Sequence, residues 1–182
     1  LGAHNVENVV GAVAWILERN LVSFDAIRSA LADFKGIRRR LDSIAPASRI
    51  PVFEGFGSSY EKARSAIQAI NLHFPHKPLI IVFEPHTFGW RNRANLQWYD
   101  DVFTGAEKVF VAPPETQGAA THDQLTQEEI LVRIGNIGQS YAMPSAVCDS
   151  LSGNEVVLIL TSGSLGGTIE TLADEITKRF PI

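Results

Sequence analysis

Short apolar runs alternate with amphipathic helical patterns over most of the chain. The runs are almost continuously apolar, as expected of strands covered on both faces, and lie at 50–53, 79–83, 108–112 and 155–160. The helical patterns cover about 60–72, 91–103, 126–135 and 167–179. This alternation predicts an α/β domain: a Rossmann-like, mostly parallel sheet with helices on both faces. Residues 141–147 fit either a further short strand or a loop.

The first 36 residues predict a short helical hairpin instead. Apolar residues recur at helical spacing: Val6, Val9, Val10, Val13, Ile16 and Leu17. Asn5 could cap this helix and Asn20 could end it, while Ser23 opens a second helix that Gly36 ends. Capping residues also precede three later helices: Ser58 with Glu61, Asn92 or Asn95, and Thr126 with Glu129. We therefore divide the chain into 1–36 and 37–182.

Polar loops follow the predicted strands. They are EGFGSS, EPHTFGW, APPETQG and TSGSLGG. In an open parallel sheet these loops share the carboxyl edge, where ligands bind. We expect Glu54, Ser58, His86, Arg91 and Ser162 to face a substrate there. Three of these residues have a simpler explanation: Ser58 as a helix cap, His86 as a hydrogen-bonded structural residue, and Ser162 as part of TSGSLGG, an ordinary turn.

Two polar clusters precede the sheet. His4, Asn5 and Asn8 lie at a helix start, where amides and an imidazole could bind a purine edge or ribose hydroxyls, although plain capping is an alternative. Arg39 and Arg40 lie in GIRRRLD, and guanidinium groups suit phosphate or carboxylate. A solvated run of charge in a linker is the alternative.

Composition excludes several classes of protein. The net charge of −4 gives no general electrostatic case for nucleic acid, and no apolar run reaches the length of a membrane span. One cysteine excludes a disulfide framework and a Cys-rich zinc site, and we expect a cytoplasmic protein. The sequence contains no His-x-x-x-His spacing that would predict a metal site. His73, His76 and His122 are expected to be exposed. Because the first residue is Leu1, we expect a fragment of a longer protein.

Taken together, three motifs resemble the Mur ligases, ATP-dependent amide-bond enzymes of peptidoglycan assembly. The motifs are G-x-H-N-x-x-N opening a helix, F-K-G-I-R-R-R-L, and a strand ending F-E-P-H-T-F. The resemblance covers essentially the whole chain and matches the end of the central ATPase domain (1–36) and the C-terminal domain (37–182). The last segment, LTSGSLGGTIETLADEI, is most similar to the branch that ligates a murein tripeptide, and the alanine-adding branch is a close sibling.

The resemblance implies roles for individual residues. His4, Asn5 and Asn8 would lie against the adenosine of ATP, and Arg40, with Arg39 beside it, would reach ATP across a hinge near 37–41. Arg91 would bind a carboxylate of the incoming amino acid or peptide. Glu54 would keep an acidic role, but Ser58, Ser59 and Tyr60 stand where relatives carry HHP, which bears on the choice of substrate.

The implied function is ligation of an amino acid or peptide to UDP-N-acetylmuramate, with ATP and Mg²⁺ as cofactors. The phosphate loop and most magnesium ligands would belong to upstream domains, so this chain is not expected to turn over alone. No catalytic residue is assigned to it. The alternative from another class is a stand-alone nucleotide- or anion-binding module without catalysis. A folate-type glutamate ligase shares the architecture, but the EPHTF loop argues against it.

Overall fold

A computed structural model describes residues 3–34, 39–116 and 124–182. The α-helices are α1 (Ala3–Glu18), α2 (Phe24–Asp33), α3 (Tyr60–His73), α4 (Phe88–Arg91), α5 (Gln127–Ile134), α6 (Pro144–Cys148) and α7 (Ile169–Arg179). Short 3-10 helices cover Arg93–Asp100, Gly135–Ile137 and Leu165–Gly167. In the described ranges, none of the helices is both long and apolar enough to cross a bilayer.

The strands of the described ranges form one sheet. They are β1 (Arg40–Ser43), β2 (Val52–Gly55), β3 (Leu79–Phe83), β4 (Lys108–Val111), β5 (Gly138–Ser140) and β6 (Val156–Leu160). Their spatial order is β1-β2-β6-β3-β4-β5. Only β1, at one edge, runs antiparallel to its neighbour; the other pairings are parallel. The predicted α/β class with a mostly parallel sheet is therefore confirmed.

Both faces of the sheet are buried, which explains the continuous apolar runs. Along β3, Ile81 and Phe83 join one apolar cluster, while Ile80 and Val82 join the cluster on the opposite face. All five residues of β3 and all five of β6 are buried. Strands at the centre of a parallel sheet have no solvent face, so their side chains need not alternate in polarity.

An aromatic group closes the first cluster above the end of β3. The Trp90 ring lies edge-on to Phe83, with centroids 5.0 Å apart, and edge-on to Trp98 at 5.3 Å. Its indole N–H donates to the Gly57 carbonyl at 2.7 Å, so the fully buried side chain has its polar atom satisfied. Trp90 thereby fixes the loop after β2 against the loop after β3.

Several boundaries differ from the sequence predictions. Residues 141–143 form a loop, one of the two expected structures, but the rest of 141–147 is helical because α6 begins at Pro144, a residue whose fixed φ suits the first turn of a helix. Strands β1 and β5 are short and were not predicted; both lie at sheet edges, where burial is incomplete. The helix expected over 91–103 is instead α4 followed by a 3-10 helix that Asn92 caps.

The predicted helix caps have mixed outcomes. Ser23 caps α2 and Thr126 forms a capping box with Glu129, as expected. Asn5 lies inside α1, which begins at Ala3, so its predicted capping role is wrong. Asn20 follows α1 with a φ of 52°, a left-handed conformation that asparagine tolerates and that suits the end of a helix. Gly36 lies outside the described residues.

Candidate functional site

The loops after β2, β3, β4 and β6 meet at the carboxyl edge of the sheet. Because β3 and β6 are parallel neighbours with Phe83 opposite Leu160, the loops that leave them start side by side. The Glu84 backbone N–H continues the ladder by donating to the Leu160 carbonyl at 3.0 Å. The expected convergence of polar residues at one rim therefore has a direct cause in strand register.

Glu84 is the buried acid of this rim, with 4% of its surface exposed. Its Oε2 accepts hydrogen bonds from the Thr161 hydroxyl and from the Leu165 amide, the latter at 3.0 Å. The Thr161 Oγ1 in turn accepts the Gly163 N–H at 2.8 Å. This network fixes the carboxylate and shapes the loop after β6 around it.

His86 and Glu115 lie beside that carboxylate. One ligand atom each from Glu84, His86 and Glu115 lies within 4.8 Å of the others, and His86 Nδ1 is 3.9 Å from Glu115 Oε2. Gly163 packs so closely here that a Cβ on it would lie 2.6 Å from His86 Nδ1 and 2.7 Å from Glu84 Oε2. A side chain at this position of TSGS would therefore force His86 or Glu84 to shift.

Arg39 joins the start of the α/β domain to the rim. Its Nε donates to Glu54 Oε1 at 2.6 Å and its Nη2 to the Gly163 carbonyl at 2.5 Å. Its guanidinium also lies 5.7 Å from the centroid of the Phe56 ring. Arg39 and Leu41 have φ values of 62° and 58°, a conformation that costs a non-glycine residue about 1–2 kcal/mol.

Arg40 has a different environment from its neighbour. It is exposed, and it lines a cavity of about 290 Å³ together with Leu41, Phe56 and Lys62. The cavity lies between the edge strand β1 and the start of α3. Of these two arginines of GIRRRLD, Arg39 is therefore bound to the rim, whereas Arg40 is exposed to solvent.

Ser58, Ser59 and Tyr60, which follow β2, have partners within the chain. Ser59, not Ser58, caps α3 by accepting the Lys62 N–H at 3.4 Å, so the predicted cap is wrong by one residue. Ser58 Oγ accepts a hydrogen bond from Lys62 Nζ at 2.9 Å. The Tyr60 hydroxyl donates to Asp101 at 2.9 Å. These side chains therefore stabilise the start of α3 and its contact with the 3-10 helix.

Arg91 lies beneath the rim, with 5% of its surface exposed. Its Nη1 donates to the Glu115 carbonyl at 3.0 Å and to Gln124 Oε1 at 3.3 Å. These bonds hold the segment that carries Glu115. Arg91 therefore adjoins the predicted site through its contact with Glu115.

The remaining predicted residues divide between two regions. Ser162 lies in the loop after β6, and its Oγ is a buried atom without a hydrogen-bond partner. Asn5 and Asn8 lie on α1, where Asn8 is exposed. The His4 side chain and His122 fall outside the described residues, and His73 and His76 are exposed as expected.

Three residues of the rim were not singled out from the sequence. Glu115 was hidden in the APPETQG loop, and the roles of Thr161 and Gly163 depend on a carboxylate 77 or more residues away. Their shared signal was positional: each follows a strand that was predicted, and neighbouring parallel strands bring their loops together.

Comparison with known sequences finds relatives named UDP-N-acetylmuramate–L-alanine ligase. No family model matches the chain. A UDP-N-acetylmuramate–L-alanine ligase of Polaromonas sp. is 30% identical over 178 residues, which span 91% of this chain and 38% of the relative. The enzyme of the same name from Desulforapulum autotrophicum is 25% identical over 95% of this chain and 39% of its own length. The chain thus spans less than two fifths of these relatives.

Solved structures show the same fold. A UDP-N-acetylmuramate–alanine ligase of Thermotoga maritima matches 98% of this chain with a TM-score of 0.69 and 18% identity. A murein peptide ligase of Psychrobacter arcticus matches the full chain at 0.68 and 20% identity. A MurF ligase of Thermotoga maritima in complex with ADP matches 98% at 0.71 and 15% identity. The chain covers 38%, 38% and 40% of these structures.

Proposed function

From the premise that the chain belongs to the Mur ligase family, we propose that it is the acceptor-side part of a cytoplasmic, ATP-dependent ligase. The ligase joins an amino acid or a murein peptide to UDP-N-acetylmuramate. Residues 1–36 would be the helical end of the central ATPase domain, and 37–182 the C-terminal domain. The acceptor would be an L-Ala-γ-D-Glu-diamino-acid tripeptide, or L-alanine.

The convergence of four loops at one rim is the observation that carries this proposal. Glu54 lies near the end of β2, Glu84 and His86 follow β3, and Arg39 and Gly163 join these segments to the loop after β6 through short contacts. An acceptor that carries an amine and carboxylates needs both acidic and basic partners in one place. Ser58 and Ser162 add hydroxyls to the same loops.

On the acceptor side, we assign Arg91 to the carboxylate of the incoming molecule. Its guanidinium group is held by fixed partners, so it can orient a bound carboxylate without further ordering. The amine of the acceptor would then attack an acyl-phosphate formed from the nucleotide-sugar carboxylate. This chain's part in that step is to bind and orient the acceptor.

On the nucleotide side, we assign Arg40 to ATP and His4, Asn5 and Asn8 to its adenosine. Arg40 is exposed, as a residue that reaches a separate domain must be. The left-handed conformations of Arg39 and Leu41 support a hinge near 37–41, because strained backbone clusters at ligand clamps and switch regions.

The partners of this chain would be the upstream domains of the same enzyme. Exposed apolar side chains on α1 and α2 support this: Val6 63%, Val10 60%, Trp15 54% and Phe24 61%. Large apolar side chains exposed along a helical hairpin are typical of a surface that another domain covers. We propose that the central domain covers it.

The magnesium ion of ATP does not fit the described residues. Mg²⁺ bound to phosphates takes an all-oxygen shell in octahedral geometry, whereas the candidate ligand cluster found among the described ranges contains His86. Its ligands are therefore expected upstream, and no step is assigned to it here. When bound, Mg²⁺ would offset charge on the transferred phosphoryl group.

The test is a ligation assay with the full-length protein that carries this chain. Phosphate release is measured with UDP-N-acetylmuramate, Mg-ATP and either L-alanine or the tripeptide. We expect turnover with one of these acceptors, whereas the 182-residue chain alone should bind ATP weakly or not at all in a calorimetric titration. Tight ATP binding by the chain alone, without ligation by the whole protein, would favour a binding module.

Two variants test the ATP contact and the acceptor contact separately. Arg40→Ala should raise the KM for ATP at unchanged stability, and Arg91→Ala should raise the KM for the acceptor. Arg49→Ala is the matched control, because Arg49 precedes β2 at the opposite edge of the sheet and its guanidinium stacks on Phe180. Unchanged ATP kinetics in Arg40→Ala, or an unchanged acceptor KM in Arg91→Ala, removes that residue from the site.

A further inference from the structure

We propose that Glu84, His86 and Glu115 form a binding site for a divalent cation of the Zn²⁺ or Mn²⁺ class. The inference stands on the geometry of these three side chains and is independent of the ligase activity. It concerns a second metal, distinct from the magnesium of ATP. The residues come from two loops, those after β3 and β4.

The distances suit a metal after a small movement. The three ligand atoms lie within 4.8 Å of one another, and His86 Nδ1 is 3.9 Å from Glu115 Oε2. Metal–ligand bonds of about 2.0–2.2 Å place ligand atoms roughly 3–4 Å apart. The Glu115 side chain is 46% exposed and can make this adjustment without repacking the core.

One of the three ligands, the Glu84 carboxylate, is fixed in advance. Glu84 is held by the Thr161 hydroxyl and the Leu165 amide, and its own carbonyl accepts the His86 N–H at 2.8 Å. Metal-binding carboxylates are commonly oriented by such outer hydrogen bonds. A cation here would therefore meet a carboxylate that is already in place.

The state of His86 points to a ligand. Its Nδ1 is a buried atom with no hydrogen-bond partner, although buried polar atoms are nearly always satisfied. The Gly163 backbone lies directly against this nitrogen, and any larger residue at that position would collide with it. A cation bridging His86 and Glu115 would give Nδ1 a partner.

The donor set selects the class of metal. One imidazole and two carboxylates suit Zn²⁺ or Mn²⁺, whereas an all-oxygen shell would suit Mg²⁺ or Ca²⁺. The two carboxylates supply two negative charges, which match a divalent ion. Three protein ligands leave coordination positions for water or for a carboxylate of a bound molecule.

The test is a calorimetric titration of the metal-stripped chain with ZnCl₂, MnCl₂ and MgCl₂ in separate runs. We expect one equivalent of Zn²⁺ or Mn²⁺ to bind more tightly than Mg²⁺. His86→Gln and Glu115→Gln should each weaken that binding by at least about tenfold. Circular dichroism confirms that each variant is folded, and Glu115→Gln keeps the main-chain carbonyl that Arg91 binds.

Matched controls exclude binding elsewhere on the surface. His76→Gln and Glu107→Gln remove an exposed imidazole and an exposed carboxylate outside the site, and both should bind metal as the unaltered chain does. The proposal is overturned if neither Zn²⁺ nor Mn²⁺ binds, if Mg²⁺ binds most tightly, or if the site variants bind like the controls. These outcomes concern metal binding only, and the proposed ligase function is tested separately by the ligation assay.

Discussion

The hydroxyl of Thr161 should contribute more to stability than its size suggests. It is fully buried and serves as a donor to Glu84 and as an acceptor for the Gly163 N–H. Thr161→Val replaces the hydroxyl with a methyl group of similar size. The substitution therefore isolates the two hydrogen bonds from the packing around them.

The expected loss can be worked from those bonds. A hydrogen bond to a charged group contributes about 1.5–3 kcal/mol, and the Gly163 amide loses a further bond of about 1 kcal/mol. The added methyl group recovers some apolar burial. We expect Thr161→Val to lower the free energy of unfolding by about 2–4 kcal/mol.

Chemical denaturation at neutral pH measures this loss. Thr177→Val is the matched control: Thr177 Oγ1 donates at 2.8 Å to the Ala173 carbonyl in its own helix, a neutral bond whose loss should cost at most about 1 kcal/mol. If the two variants lose the same stability, Glu84 does not depend on Thr161, and the account of how the rim is held is wrong.

Two further predictions concern stability. Gly163→Ala should lower the free energy of unfolding by about 1–3 kcal/mol, because its Cβ would collide with His86 and Glu84. Gly11→Ala is the control: Gly11 has open space around it in α1, so this variant should be more stable by about 0.5–1 kcal/mol. Equal effects of the two substitutions in chemical denaturation would contradict the close packing of Gly163. Burial raises the pKa of Glu155, but hydrogen bonds from Ser152 and Gly153 outweigh it and lower the pKa to about 2. The stability this provides is present above the unfolded pKa and is lost as pH falls from about 4.5 towards 2, so Glu155→Gln should flatten the acid limb of a pH–stability curve; an unchanged limb would refute it.

The central strands were predictable because burial on both faces leaves a strong sequence signal. The run 79–83 coincides with β3, and 155–160 with β6 apart from its first residue. β1 and β5 lacked that signal, since they lie at the edges and contain exposed positions. The split of 91–103 escaped prediction because Trp90 in α4 and Tyr99 in the 3-10 helix are both buried, which requires the chain to turn at Asn92 between them.

The location of the rim could be predicted from the sequence, but the contacts among its residues could not. Strand order brings Glu54, Glu84, His86 and Ser162 to one edge, and that much follows from topology. The contact between Gly163 and His86 depends on separations that no local pattern encodes. Ser58 shows the finer limit: adjacent serines compete to cap α3, and the backbone of Ser59 adopts the extended conformation that the cap requires.

The side chain of Arg39 has a mechanical consequence. It is anchored at one end in a strained connecting segment and at the other on the backbone of the glycine that touches His86. A rotation about that segment must either break the two bonds to Glu54 and Gly163 or pull the turn after β6 along with it. Movement of Arg39 is therefore transmitted by one guanidinium group to a turn 124 residues away in the sequence.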